Sequence, residues 1–94
     1  MIVKYTNSFV KDIKKIKDKK LLNQLKEFIE TVKSKPNLKS IKNIPNIKQL
    51  KGHKSYYRLK MKNYRTGMEV KKSMVTFVRF LHRKEIYRYF PIIN

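Results

Sequence analysis

The spacing of apolar residues changes character twice along this chain. Ile2 to Tyr5 is a short β-branched and aromatic run that reads as a strand, and Thr6, Asn7 and Ser8 follow with oxygens able to cap a helix. Phe9, Ile13 and Ile16 then recur at i, i+4 and i+7, the stripe of an amphipathic helix. The stripe pauses at Asp18-Lys19-Lys20, resumes through Leu21, Leu22, Leu25, Phe28, Ile29 and Val32, and stops before Pro36. This predicts two antiparallel helices sharing an apolar seam, with lysines on their outer faces. Residues 36 to 55 have no sustained period. Pro36, Pro45 and Asn37, Asn43 and Asn46 argue against a regular element, while Leu38, Ile41, Ile44, Ile47 and Leu50 pin the segment to the core.

From Tyr56 the period falls to two. Tyr57, Leu59 and Met61 share one face of a strand, and Tyr56, Arg58 and Lys60 share the other. Lys62-Asn63 is a short turn, Tyr64 to Val70 a second strand, and Lys71-Lys72-Ser73 another turn. Met74 to Leu81 is apolar on both faces apart from Thr76 and Arg79, as a central strand would be. His82 to Phe90 forms a closing turn or short helix before Pro91. The predicted class is α+β: a strand, an αα-hairpin, an antiparallel β-meander and a short C-terminal helix, in one domain spanning residues 1–94.

Charge sharpens this picture. The 94 residues carry 25 Lys plus Arg against six Asp plus Glu, a formal charge of +19, with hydrophobic residues at 40% to close a core. Such a field costs stability through self-repulsion, and the usual reason to keep it is a polyanionic partner, nucleic acid first. No apolar run approaches a membrane span, and no secretion signal precedes the first strand, so a cytoplasmic protein without a membrane partner is expected. The absence of Cys excludes a disulfide scaffold and thiolate zinc sites. Six scattered carboxylates and two histidines 29 positions apart give no metal cluster, and no motif for a cofactor is present.

The distribution of arginine is more telling than its number. All five (Arg58, Arg65, Arg79, Arg83 and Arg88) follow residue 57, whereas the first 57 residues hold 15 lysines and no arginine. Lysine suffices for a solvated charge, but the planar guanidinium grips phosphate at two points. Arg58, Lys60, Arg65, Arg79 and Arg83 are therefore the candidate phosphate ligands, with Tyr87 and Tyr89 as stacking surfaces. An RNA 2′-hydroxyl is an internal nucleophile, so cleavage requires only a positioned base, stabilisation of phosphate charge and an acid for the leaving oxygen. Lys60 and His82 are the candidates for proton transfer.

Leu50-Lys51-Gly52, Tyr57-Arg58-Leu59-Lys60, Tyr64-Arg65 with Gly67 beyond it, and His82-Arg83-Lys84-Glu85-Ile86-Tyr87 together resemble the RelE/ParE superfamily, the small toxins of type II toxin–antitoxin systems. The order of the elements before them also resembles that family, so the likeness covers essentially the whole chain. It implies a ribosome-dependent mRNA endonuclease that acts without metal in the A site, against ribosomal RNA, and is masked by a cognate antitoxin. The catalytic set it implies here is Lys60, Arg65, His82, Arg83 and Tyr87, with Arg58 on phosphate. Two positions depart from the pattern: Arg58 stands where ribosome-dependent members have Lys, and Leu81 where they have a further Arg, a role left to Arg83 or Arg79. The alternatives are a non-enzymatic, ParE-like inhibitor of DNA gyrase and a degenerate basic RNA-binding module.

Overall fold

The structure, a computed structural model, describes residues 1–91. Its elements are β1 (Ile2–Tyr5), α1 (Asn7–Lys14), α2 (Lys19–Ser34), α3 (Leu38–Lys42), β2 (Ile47–Gln49), β3 (Tyr56–Met61), β4 (Tyr64–Lys71), β5 (Met74–His82) and α4 (Ile86–Tyr89). Local chemistry explains the helix starts. Thr6, Asp18 and Asn37 each accept, on a side-chain oxygen, the backbone N–H of the third residue of the helix they cap, Phe9, Leu21 and Ser40 respectively. The predicted pause at Asp18 is thus an N-cap. The segment expected to be irregular holds α3 and the three-residue β2.

The strands make one mixed sheet in the order β1-β5-β4-β3-β2. The predicted meander β3-β4-β5 is present, joined by two-residue turns whose first residues, Lys62 and Lys72, take φ of 54°. That left-handed conformation matches the twist of hairpin strands. The chain departs from a pure meander at its start: β1 lies parallel to β5, from Ile2 opposite Met74 to Tyr5 opposite Phe77. β5 is therefore an interior strand, flanked by β1 and β4, as its apolar composition predicts.

Three helices cover one face of this sheet. Phe9, Leu21, Leu25, Phe28, Val32 and Ile41 meet Tyr57, Leu59, Met68, Val70, Val75, Phe77 and Phe80 in one buried cluster. Each such side chain, fully buried, contributes ~1.5–3 kcal/mol. The other face carries the short α4, in which only Ile86 is buried, followed by the buried Phe90 at its C-terminal cap. No helix among the described residues is long and apolar enough to cross a membrane.

β1 ends opposite Phe77, leaving the rest of β5 with an unpaired edge. The N-cap of α1 and Asp12 within that helix close it with side chains. Thr6 donates from Oγ1 to the carbonyl of Val78 at 2.7 Å, and the Asp12 carboxylate accepts the Phe80 N–H at 3.0 Å. The same carboxylate takes both arms of Arg79, at 2.8 Å from Nε and 3.0 Å from Nη2. Asp12 is 4% exposed, so its charge is tolerated only because it is fully partnered.

Asp12→Ala leaves a half-buried guanidinium and a strand N–H without partners. It is expected to lower stability by about 3 kcal/mol or more, read from the urea midpoint. Asp18→Ala, which removes only a cap, should cost about 1 kcal/mol in the same assay.

Candidate functional site

The β3–β4 ladder builds the site. Tyr57 and Leu59 turn into the core, so Arg58 and Lys60 stand on the opposite face by strand alternation. The register places Lys60 opposite Arg65 and Arg58 opposite Gly67. Directly opposed residues have Cβ atoms ~5 Å apart, which makes Lys60 and Arg65 adjacent cations. Such a pair repels and is maintained at a cost. Nη1 of Arg65 donates to the carbonyls of Lys62 and Tyr64, at 3.0 and 2.9 Å, which draws the guanidinium over the hairpin turn. Those bonds leave Nε and Nη2 for an incoming anion. Arg58 is held less firmly, through Nη1 to the carbonyl of Asn46 at 3.2 Å.

The loop after β5 completes the cluster. The Arg83 N–H donates to the carbonyl of Asn63 at 2.7 Å, tying this loop to the turn that Arg65 overhangs. Tyr87 follows on α4 and is 58% exposed. Burial and the charge of Arg58 lower the Arg65 pKa from the ordinary arginine value; the Tyr87 phenol opposes this, and Arg83 adds to it. Arg58, Arg65, Arg83 and Tyr87 thus share one electrostatic environment. Arg65 stays charged, because even a lowered guanidinium remains protonated near neutral pH.

Two predicted members stand elsewhere. Arg79 is not an available phosphate ligand: its fork is spent on Asp12, and its guanidinium lies 4.8 Å from the centre of the Tyr89 ring. The hydrogen bond to Asp12 accordingly raises its pKa. His82 lies opposite Tyr64, whereas its neighbour Leu81 lies opposite Arg65, so the imidazole turns to the other face from Arg65. There it meets the Tyr64 ring edge-on at 5.6 Å, and its Nδ1 accepts the Lys84 N–H at 3.2 Å. It lines a cleft of about 310 Å³ with Asp12, Arg79, Glu85 and Tyr89. His53 lies tilted against Tyr56, ring centres 5.4 Å apart, in the loop beside Gly52. Glu85 makes no ion pair among the described residues, although its charge contributes to the raised pKa of Arg79.

The cause of the His82 displacement is a bulge. Near the turn, Val70 pairs with Val75 and Met68 with Phe77, a register that would continue to Arg65 opposite Phe80. The irregularity between Gly67 and Met68 shifts the pairing by one, setting Arg65 opposite Leu81. Every later side chain of β5 changes face relative to β4. Sequence reading also passed over Tyr56, whose ring packs at 5.4 Å from that of Phe90 beside the basic ladder.

The remaining set contains four cations and a phenol: Arg58, Lys60, Arg65, Arg83 and Tyr87. Among the described residues no three of His, Asp and Glu gather to hold a metal ion. The arrangement suits an anion that must be gripped, held against a developing charge and served by a proton carrier.

Residues 3–87 match the family model for the ParE toxin of the type II toxin-antitoxin system, parDE. The chain is 40% identical over 91 residues to Toxin RelE3 of Methanocaldococcus jannaschii, covering 97% of this chain and all of that protein. The crystal structure of the RelB-RelE antitoxin-toxin complex from Methanococcus jannaschii contains a chain of TM-score 0.77 and 37% identity, over 94% of this chain and 99% of that one. A chain of the E. coli DinJ-YafQ complex shares the fold at TM-score 0.62 and 16% identity, over 90% and 96% of the two chains.

The geometry makes a distinction that a salt titration with a short single-stranded RNA can read. Arg58→Ala and Arg83→Ala should each weaken binding and flatten the log K against log salt slope by about 0.7, as expected when one phosphate is no longer neutralised. Arg79→Met combined with Asp12→Asn, which removes the pair together and strands no buried charge, should leave that slope unchanged, because the charge of Arg79 is already matched within the fold.

Proposed function

The chain belongs to the RelE/ParE superfamily of type II toxins, and from that premise we propose that it is an endoribonuclease that cuts messenger RNA in the ribosomal A site and is neutralised by a cognate antitoxin. The observation that carries this reading is the shared environment of Arg58, Arg65, Arg83 and Tyr87, with Lys60 opposite Arg65 on the same ladder.

The proposed reaction needs no group from outside the chain. The RNA 2′-oxygen attacks the adjacent phosphorus, the bond from phosphorus to the 5′-oxygen breaks, and the products carry a 2′,3′-cyclic phosphate and a 5′-hydroxyl. Arg58 and Arg83 hold the phosphate. Arg65, fixed by two carbonyls, faces the charge that grows on the equatorial oxygens, where a preorganised donor is most effective. Guanidinium does not exchange protons near neutrality, so Lys60 takes the proton-transfer role. With His82 on the other face, Tyr87 is the second group of the set that can orient or protonate, and its exposed ring offers a base a stacking surface. The antitoxin assigned to this chain supplies negative charge to a surface of formal charge +19.

A second reading has its own support, since the matching family model describes a ParE toxin. On that reading the chain inhibits DNA gyrase and cuts no RNA.

Ribosomes programmed with a defined message separate the two. The first reading expects new mRNA ends at the A-site codon, the upstream fragment ending in a 2′,3′-cyclic phosphate and the downstream one beginning with a 5′-hydroxyl. Arg65→Ala should slow cleavage about 100-fold, and Lys60→Ala at least as much. Both proteins should keep melting temperatures within a few degrees of the parent, since neither side chain is part of the core. An intact message beside an active control toxin, with gyrase-dependent DNA breaks in expressing cells, would replace the first reading with the second.

A further inference from the structure

Tyr87 lies on a helix of four residues, far too short to hold a position by its own hydrogen bonds. Its neighbours hold it instead. Ile86 is fully buried, Phe90 is 1% exposed, and the Phe90 N–H closes the helix onto the carbonyl of Ile86 at 2.8 Å. The Phe90 ring rests directly on Gly67, in the middle of β4. A Cβ built at Gly67 would fall 2.5 Å from Cγ and Cδ2 of that ring and 2.8 Å from Cδ1, closer than any side chain tolerates. Tyr56 flanks the ring at 5.4 Å. On the other flank Tyr89 lies against the Arg79 guanidinium, itself fixed by Asp12.

Gly67 takes no left-handed conformation, so backbone freedom does not account for glycine there. Space does. Gly67 is opposite Arg58 and two residues beyond Arg65 on the same strand face, so the notch it leaves is set inside the basic ladder. We propose that Gly67, Phe90 and Tyr56 form a seat whose depth sets where Tyr87 stands relative to Arg65, which makes Gly67 a positioning residue for RNA cleavage. This inference rests on the nuclease reading. A methyl group at residue 67 lifts the Phe90 ring off the strand, and α4 rises with it. The phosphate grip of Arg58 and Arg83 remains, but Tyr87 moves away from the reacting phosphate. A displacement of ~1 Å is enough to cost about 100-fold in rate.

The test combines Gly67→Ala and Phe90→Ala with a Tyr87→Ala background, in single-turnover cleavage on programmed ribosomes. Phe90→Ala changes the tail alone and covers the case in which Gly67→Ala does not fold. Each variant should lower the maximal rate 10- to 100-fold and leave the half-saturating concentration within about threefold. Combined, they should cost no more than the worse of the two, because they empty the same seat. Phe90→Leu should slow the parent yet partly restore the Gly67→Ala protein. In the Tyr87→Ala background neither seat variant should slow cleavage further. Equal costs with and without Tyr87 would overturn the proposal, since the seat would then act by stability alone.

A second readout does not depend on cleavage. 3-Fluorotyrosine at residue 87 should give a ¹⁹F resonance displaced from that of the free amino acid, and both seat variants should move it toward the free value. If the parent cuts no RNA and the resonance still shifts, the seat stands and the nuclease reading falls. An unmoved resonance overturns the seat whatever the activity.

Discussion

One carboxylate ties this molecule together. β1 is shorter than the strand it pairs with, and the exposed remainder of β5 would present unpaired backbone groups in the centre of the fold. Asp12 meets that need with a hydrogen bond from the Phe80 N–H and two from Arg79. Through Arg79 the same group reaches Tyr89, so α1, β5 and the C-terminal helix are coupled at one point. In a chain with 25 cations and six acids, an acid is the scarce species, and this one is buried where a single negative charge satisfies three donors.

That arrangement divides the sheet into two surfaces with different physics. The helix-covered face is dry, aromatic and held by burial: Phe9, Phe28, Phe77 and Phe80 pack ring against ring at 5.4 to 6.4 Å. The opposite face concentrates like charges that repel one another. Arg58 and Arg65 are kept there by bonds from one guanidinium nitrogen to backbone carbonyls, which fix position without neutralising charge. The unfavourable electrostatics of this surface are offset by the favourable packing behind it. A bound polyanion would relieve the repulsion, which is the physical sense in which the surface is incomplete alone.

The sequence disclosed the parts whose information is local. Period two over Tyr56 to Met61, followed by a two-residue turn, is enough to bring Lys60 beside Arg65. Period 3.6 with Asp18 as a cap defines α2. Elements too short to repeat their period, α3 and β2, are not legible, although Asn37 is a capping residue directly before the first of them. Non-local pairing left no trace either: nothing in Ile2 to Tyr5 names β5 as a parallel neighbour. The pairing of Arg79 is not legible, because its acid lies 67 residues earlier on another element and no local pattern links the two. His82 turned away because one bulge reversed the face of everything beyond it, and a bulge has no periodicity of its own. The Gly67 in that bulge was legible as a motif residue. Its role as a notch requires Phe90 to be placed in space.

The parallel pairing of β1 with β5 also governs how the chain reaches this structure. The hairpin of β3 and β4 joins residues close in sequence and can form early, so the basic ladder is kinetically cheap. β1 finds a partner only after about seventy further residues exist, as the 72-residue separation of Thr6 from Val78 shows. Contacts of such span demand loop closure before they return any energy, and chains that depend on them fold slowly. During synthesis the first helices accordingly wait without a sheet to cover. The surface that carries the charge is assembled first, and the frame that makes it rigid is closed last.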